Sequence, residues 1–236
     1  VILAAGERSK FQKPVGLLGL ENETIIGRII RLLKECGIKK IVIITGYENN
    51  YFQSMKYEKD IYLIENKQYR WTGTMASLAL ASTIINDDFL LIEGDMIFEK
   101  KAIDKIIESS NRNCVLITKE SGSGDEVFVE LKNGFIYKIS KDINQFNKID
   151  GEMIGISKIS IDIYRKMLAE FKNNQNPYMN YEYMLLDVGR TYNIGYVKIY
   201  DLIWTEIDNT WQYKNLIDYI YPILKRKENT SNEKFK

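Results

Sequence analysis

Apolar residues along this chain recur in two rhythms, and the switches between them mark out its elements. Val1 to Ala5 is a short apolar run broken at Gly6, which reads as a buried strand running into a turn. From Thr24 to Cys36, Ile25, Ile26, Ile29, Ile30, Leu32 and Leu33 fall at helical spacing with Arg28, Arg31 and Lys34 opposite, and Gly37 ends the run. Lys40 to Thr45 is a β-branched strand closed by Gly46. A short helix is expected near Tyr51 to Met55 and another strand at Ile61 to Glu65. A second round predicts a helix at Met75 to Ile85, a buried strand at Phe89 to Ile92, a helix near Ala102 to Ser109 and a strand at Cys114 to Thr118. Strands alternating with helices imply a parallel sheet whose ligand-bearing loops lie at strand C-termini.

From Glu126 the period becomes two, and Asn133-Gly134 between two such runs is a strong hairpin signal. The hairpin suggests a small substrate lobe, about residues 120–160, added to the sheet. Ile154 to Ser157 reads as a strand, Asp162 to Phe171 and Tyr181 to Val188 as helices, Ile194 to Ile199 and Leu202 to Ile207 as closing strands, and Asn209 to Leu224 as a final helix. Residues 225–236 are polar without an apolar period and read as a tail or linker, which leaves 1–224 as a single domain. The fold class is α/β: a Rossmann-like, mixed but mostly parallel sheet flanked by helices.

Composition narrows the chemistry. The 236 residues are 45% hydrophobic, enough to bury one core, and 33 Lys plus Arg nearly balance 32 Asp plus Glu, so no basic field points to nucleic acid. The chain has 0 His, and Cys36 and Cys114 lack ligand spacing, which removes His-based triads and leaves no zinc pattern. Catalysis must rest on carboxylates, lysines and a hard metal. No apolar run approaches the roughly 20 residues that span a bilayer, and no signal peptide is visible, so a cytoplasmic protein without a membrane partner is expected. Because the sequence opens within its first strand, a few preceding residues are expected too. A homodimer or a fusion to a further enzyme domain is left open.

The most informative stretch is residues 1–14. A strand end followed by a Gly turn exposes successive backbone N–H groups, which with Arg8, Lys10 and Lys13 can surround the oxygens of a triphosphate. Leu90 to Asp95 delivers Glu93, Gly94 and Asp95 at a strand end, where one aspartate plus substrate phosphates suits Mg²⁺. Glu93 has the weaker claim there. In Trp204-Thr205-Glu206-Ile207-Asp208, alternation puts Glu206 and Asp208 on one face. Taken alone, Asp208 before a helix is an N-cap candidate. Beside Asp95 and the opening loop it is read as a metal ligand.

Leu3, Ala4, Ala5, Gly6, Lys13 and Pro14 resemble the signature of the nucleotidyltransferase family. The family's Gly-x-Gly-[Ser/Thr]-Arg is replaced here by a shortened Glu7-Arg8-Ser9-Lys10, so either Arg8 or Lys10 stands for its arginine. Nearly the whole chain resembles the phosphocholine and phosphonate cytidylyltransferase group. The resemblance implies a nucleotide-diphospho-sugar transferase-like fold and Mg²⁺ on Asp95, Glu206 and Asp208. It implies Leu3 to Gly6, Lys10, Gln68, Gly73, Thr74 and Ser77 at the nucleotide, and Lys13, Arg8 and Lys141 as catalytic cations. Gly151-Glu152-Met153-Ile154-Gly155 resembles a segment of members acting on small phosphorylated amines and phosphonates. Asp125, Glu126, Glu152, Tyr181, Glu182 and Trp204 are the candidates for holding such an acceptor, with Glu152 and Tyr181 ranked first. The implied reaction joins CTP to a small phosphorylated or phosphonylated amine or alcohol, of the phosphocholine or 2-aminoethylphosphonate type, with release of pyrophosphate. A sugar-1-phosphate nucleotidyltransferase and a non-catalytic nucleotide-binding module are the alternatives.

Overall fold

The structure, a computed structural model, describes residues 1–233. Its first half runs β1 (Ile2–Ala4), α1 (Ile25–Glu35), β2 (Ile41–Thr45), β3 (Ile61–Glu65), α2 (Thr74–Leu80), β4 (Phe89–Glu93), β5 (Met96–Phe98), α3 (Lys101–Glu108) and β6 (Cys114–Thr118). The second half runs β7 (Phe128–Lys132), β8 (Phe135–Ser140), β9 (Gly151–Ile159), α4 (Ile161–Asn173), α5 (Tyr181–Gly189), β10 (Gly195–Lys198), β11 (Trp204–Glu206), α6 (Thr210–Asn215) and α7 (Tyr221–Glu233).

The main sheet has the order β10-β6-β9-β4-β1-β2-β3. Every neighbouring pair along it is parallel except those made by β9, which lies antiparallel between β4 and β6. Ile2, Ile43, Ile92, Leu116 and Ile156 pack one face against α1 and α3, while Leu3, Val42, Ile44, Leu91 and Val115 pack the other against α2, α4 and α5. Period-two alternation in strands buried on both faces makes these two cores. In α1, Thr24 accepts a hydrogen bond from the Gly27 N–H as N-cap, and Gly37, at φ +81°, turns the chain out. Asn133 and Gly134 take φ of 52° and 82°, the primed geometry that suits a tight hairpin.

Several expectations are corrected. The β7–β8 hairpin is part of the main sheet, since Phe128 and Val129 pair with Glu152 and Gly151 of β9. The helix expected through Ile85 tightens into a 3₁₀ turn at Ala81–Thr83, where the Thr83 hydroxyl donates to the Leu80 carbonyl. Strand β5, three residues long, is too short to show a period. It holds β11 in an antiparallel ribbon outside the main sheet. The last helix does not end at Leu224. It passes through a π turn at Leu216–Ile220 and continues to Glu233, with Lys225, Lys227 and Glu228 ion-paired to Glu21, Glu99 and Arg28. Partners so distant in sequence leave no local pattern. Arg28, expected on the polar face of α1, is buried by that helix and donates to the Phe98 carbonyl at 2.8 Å. The rest of the expected tail, 234–236, lies outside the described residues.

Candidate active site

The C-terminal ends of β1 and β4 lie side by side, joined by the Gly94 N–H donating to the Leu3 carbonyl at 2.8 Å. The loop after β1 therefore begins beside the segment that carries Asp95. Its Arg8 guanidinium reaches 2.7 Å from Asp208 and 3.7 Å from Asp95. Both Arg8 and Lys10 are exposed, but of the two it is Arg8 that ion-pairs with the carboxylates. Lys13 is half-buried and has no ion-pair or side-chain hydrogen-bond partner among the described residues. Phe11 meets Tyr213 of α6 edge-on at 6.1 Å, and the Tyr213 hydroxyl donates to the Gly19 carbonyl, so α6 braces this loop.

Asp208 is not the helix cap. Asn209 takes that task, accepting from the Gln212 N–H, while the Gln212 side chain accepts from the N–H groups of Asp208 and Asn209. This leaves the Asp208 carboxylate free to point into the site. Ile207 is fully buried and its N–H donates to the Asp95 carbonyl at 3.0 Å, which anchors Glu206 and Asp208 beside Asp95.

Oxygens of Asp125, Glu206 and Asp208 lie within 4.8 Å of one another. Asp125, expected at the acceptor, thus stands with the metal candidates, where Lys141 ion-pairs with it at 2.8 Å. Asp95, expected with Glu206 and Asp208, is not one of these three; it lies beside them, 3.7 Å from the Arg8 guanidinium that also meets Asp208. Burial, then Asp95 and Asp208, push the Glu206 carboxyl up to about 9, and burial also raises that of Asp95. A group of hard oxygen donors short of positive charge fits Mg²⁺, so the residues present suit the implied metal.

A second acidic patch lies on the Lys141 side. The Glu93 side chain occupies the space that a Cβ on Gly155 would fill, at 2.7 Å, and burial followed by Asp95 and Glu182 pushes its carboxyl up to about 8. The buried Tyr181 hydroxyl is hydrogen-bonded to Glu93, and burial raises Glu182 at the start of α5. Burial opposes the charge of Lys141, but Asp125, Glu206 and Glu182 outweigh it.

Other expected residues lie elsewhere or are occupied. Glu152 is buried with its carboxylate accepting from the Ser121 N–H and hydroxyl at 2.6 and 3.1 Å, so it anchors the loop that carries Asp125. Glu126 accepts from Gly124 in the same loop. Trp204 packs against the core on the α1 face. At the nucleotide segment, Gly73 donates to Pro177 and lies so close to the 178–179 backbone that a Cβ would meet the Met179 carbonyl at 2.3 Å. Thr74 accepts from the Tyr181 N–H, Ser77 accepts from Asn66, and Gln68 is exposed. Unforeseen is the pairing of Glu7 with Arg70 at 2.6 Å, which ties the opening loop to this segment. Glu7 follows Gly6 at the position the signature leaves open, so nothing in the sequence singled it out.

The profile of the family described as "MobA-like NTP transferase domain" matches residues 1–151. The chain is 23% identical to the CTP:phosphoglutamine cytidylyltransferase of Campylobacter jejuni, over 88% of this chain and 94% of that one. It is 24% identical to the choline-phosphate cytidylyltransferase of Haemophilus influenzae, over 94% and 97% respectively. Among solved structures, the inositol-1-phosphate CTP transferase from T. maritima superposes with a TM-score of 0.79 at 16% identity, covering 95% of this chain and 93% of that one. No helix among the described residues is long and apolar enough to cross a membrane.

Proposed function

Because this chain belongs to the MobA-like NTP transferase domain family, we propose that it is a Mg²⁺-dependent cytidylyltransferase joining CTP to a small phosphorylated or phosphonylated acceptor. The observation that carries this reading is the convergence of Asp95, Asp125, Glu206 and Asp208 with Arg8 and Lys141 beside the opening loop. An acceptor phosphate or phosphonate oxygen, already an anion, attacks the α-phosphorus of CTP. The new P–O bond forms as the bond to the β-phosphate oxygen breaks, and pyrophosphate leaves with that electron pair. No general base is required, which agrees with a chain that has 0 His.

Lys13 and Arg8 meet charge that grows on the transferring phosphate, and Lys141 orients the acceptor anion. Asp95, Glu206 and Asp208, with Asp125 adjacent, would hold a hard divalent cation that supplies further positive charge to the phosphates. The acceptor is a small cationic compound, whose charge would favour ionisation of the Glu93 and Glu182 carboxyls that burial raises on the Lys141 side. Glu152, committed to Ser121, acts on this side only through the loop it anchors.

The test is pyrophosphate release with CTP, UTP, GTP, ATP and dTTP against phosphocholine, phosphoethanolamine, 2-aminoethylphosphonate and glucose-1-phosphate. CTP with an amine-bearing acceptor should give the highest kcat/KM. Glucose-1-phosphate as best acceptor, or no coupled turnover with any pair, would overturn the reading.

A further inference from the structure

Three cations belong to the proposed site, and they differ in what they hold. Lys13 has no partner among the described residues, Lys141 holds Asp125, and Arg8 holds Asp208 and Asp95 together. We propose that Arg8 is a placeholder cation: it occupies the charge-neutralising position between Asp95 and Asp208 while nucleotide is absent, and moves to the phosphates when the metal–nucleotide complex binds. This rests on the metal and nucleotide roles proposed above and adds an order to them. Divalent metal enters with the nucleotide, not before it.

A guanidinium 2.7 Å from an Asp208 oxygen sets a positive charge within a few ångströms of the place that Mg²⁺, about 2.0–2.1 Å from the same carboxylate, would take, and like charges so close repel. Arg8 and metal therefore compete for Asp208. Nothing else fixes the Arg8 head: its ion pairs are those with Asp95 and Asp208, its side chain is 41% exposed, and it sits on the short loop after Gly6. The neighbouring Glu7 is pinned by Arg70, so the backbone holds its place while the side chain is free to exchange partners. A guanidinium matches phosphate as well as carboxylate, in the same bidentate geometry. The exchange thus replaces one set of charge-assisted hydrogen bonds with another, and Lys13 is already available to receive the polyphosphate.

Competition of this kind is a coupling free energy and is reciprocal. The experiment titrates Mn²⁺ into nucleotide-free full chain, reading free Mn²⁺ by electron paramagnetic resonance, for wild type, Arg8→Ala, Arg8→Gln and Asp208→Asn. Without nucleotide, both Arg8 variants should bind Mn²⁺ more tightly than wild type, on the order of tenfold. With CTP present, and the Mn²⁺ taken up by CTP alone subtracted from a protein-free titration, wild type should gain Mn²⁺ affinity strongly and the Arg8 variants much less. Two Arg8 variants are used so that a folding defect in one leaves the comparison intact. Equal or weaker Mn²⁺ binding by both Arg8 variants without nucleotide, lost in Asp208→Asn, would overturn the placeholder role and leave the metal site standing. Binding unaffected by Asp208→Asn, or absent from every protein even with CTP, would overturn the metal site and the placeholder together.

Discussion

Asp208 illustrates how a single residue acquires its role from its neighbours. Position alone makes it a helix cap, but Asn209 and Gln212 complete the capping box and release its carboxylate toward Asp95 and Glu206. Asp95→Asn and Asp208→Asn should each lower kcat by on the order of 10² or more while the melting temperature hardly moves, since each removes charge and not packing. Turnover near wild type at saturating Mg²⁺ in either variant would remove that residue from the site. Lys13→Ala should lower kcat by on the order of 10², measured at saturating CTP. A rise in KM for CTP alone would assign Lys13 to ground-state binding. Alternation and strand ends made the neighbourhood of Asp95, Glu206 and Asp208 legible in the sequence. The choice between Asp125 and Glu152 was not, because Ser121, brought up by the loop between β6 and β7, decides which carboxylate is consumed and which is presented.

At the scale of elements, the β5–β11 ribbon matters most, because it alone aligns Glu206 beside Asp95 by strand pairing. Glu99 extends that pairing: its N–H donates to the Ile203 carbonyl at 3.0 Å, and its carboxylate accepts from the Ile203 N–H at 2.8 Å while pairing with Lys101 and Lys227. Burial works against ionisation of Glu99, but the bonds from Lys227, Ile203 and Lys101 together hold its carboxyl below the usual range. A folded-state pKa depressed in this way stabilises the protein above the unfolded value and loses that contribution as pH falls through the folded one. The urea midpoint of wild type should thus drop as pH falls below about 4.5, and Glu99→Gln should show a shallower drop over the same range. Parallel curves would contradict this. The ribbon escaped sequence reasoning because three residues between Asp95 and Glu99 carry no measurable period. The parallel strands β1 to β4, fully apolar or nearly so, were legible from their composition.

Over the whole molecule, α7 closes the structure by returning to its beginning. Arg28, 1% exposed on α1, has Glu228 of α7 as its nearest carboxylate, and Lys225 and Lys227 add pairs to Glu21 and Glu99. Glu228→Ala would leave a buried guanidinium without that partner. We expect a loss of about 2 kcal/mol or more, below the full penalty for a buried pair because Glu228 is itself partly exposed. The combined Arg28→Met and Glu228→Met replacement should recover most of it, as measured by urea unfolding, and an equal loss in both proteins would refute the pairing as the cause. The alternating strands and helices announced the sheet and its two cores. The route of the last helix depended on charges some two hundred positions apart, which no local pattern records.

Transfer of a cytidylyl group to an acceptor anion can be followed through the oxygens of the acceptor. Phosphocholine or 2-aminoethylphosphonate bearing ¹⁸O in its phosphoryl oxygens would be incubated with CTP, Mg²⁺ and the protein, and the products read by ³¹P NMR. Attack at the α-phosphorus predicts ¹⁸O in the bridge between the CMP phosphorus and the acceptor phosphorus, with unlabelled pyrophosphate released in equal amount. CDP as the nucleotide product, or CMP and pyrophosphate formed with the acceptor unchanged, would contradict it.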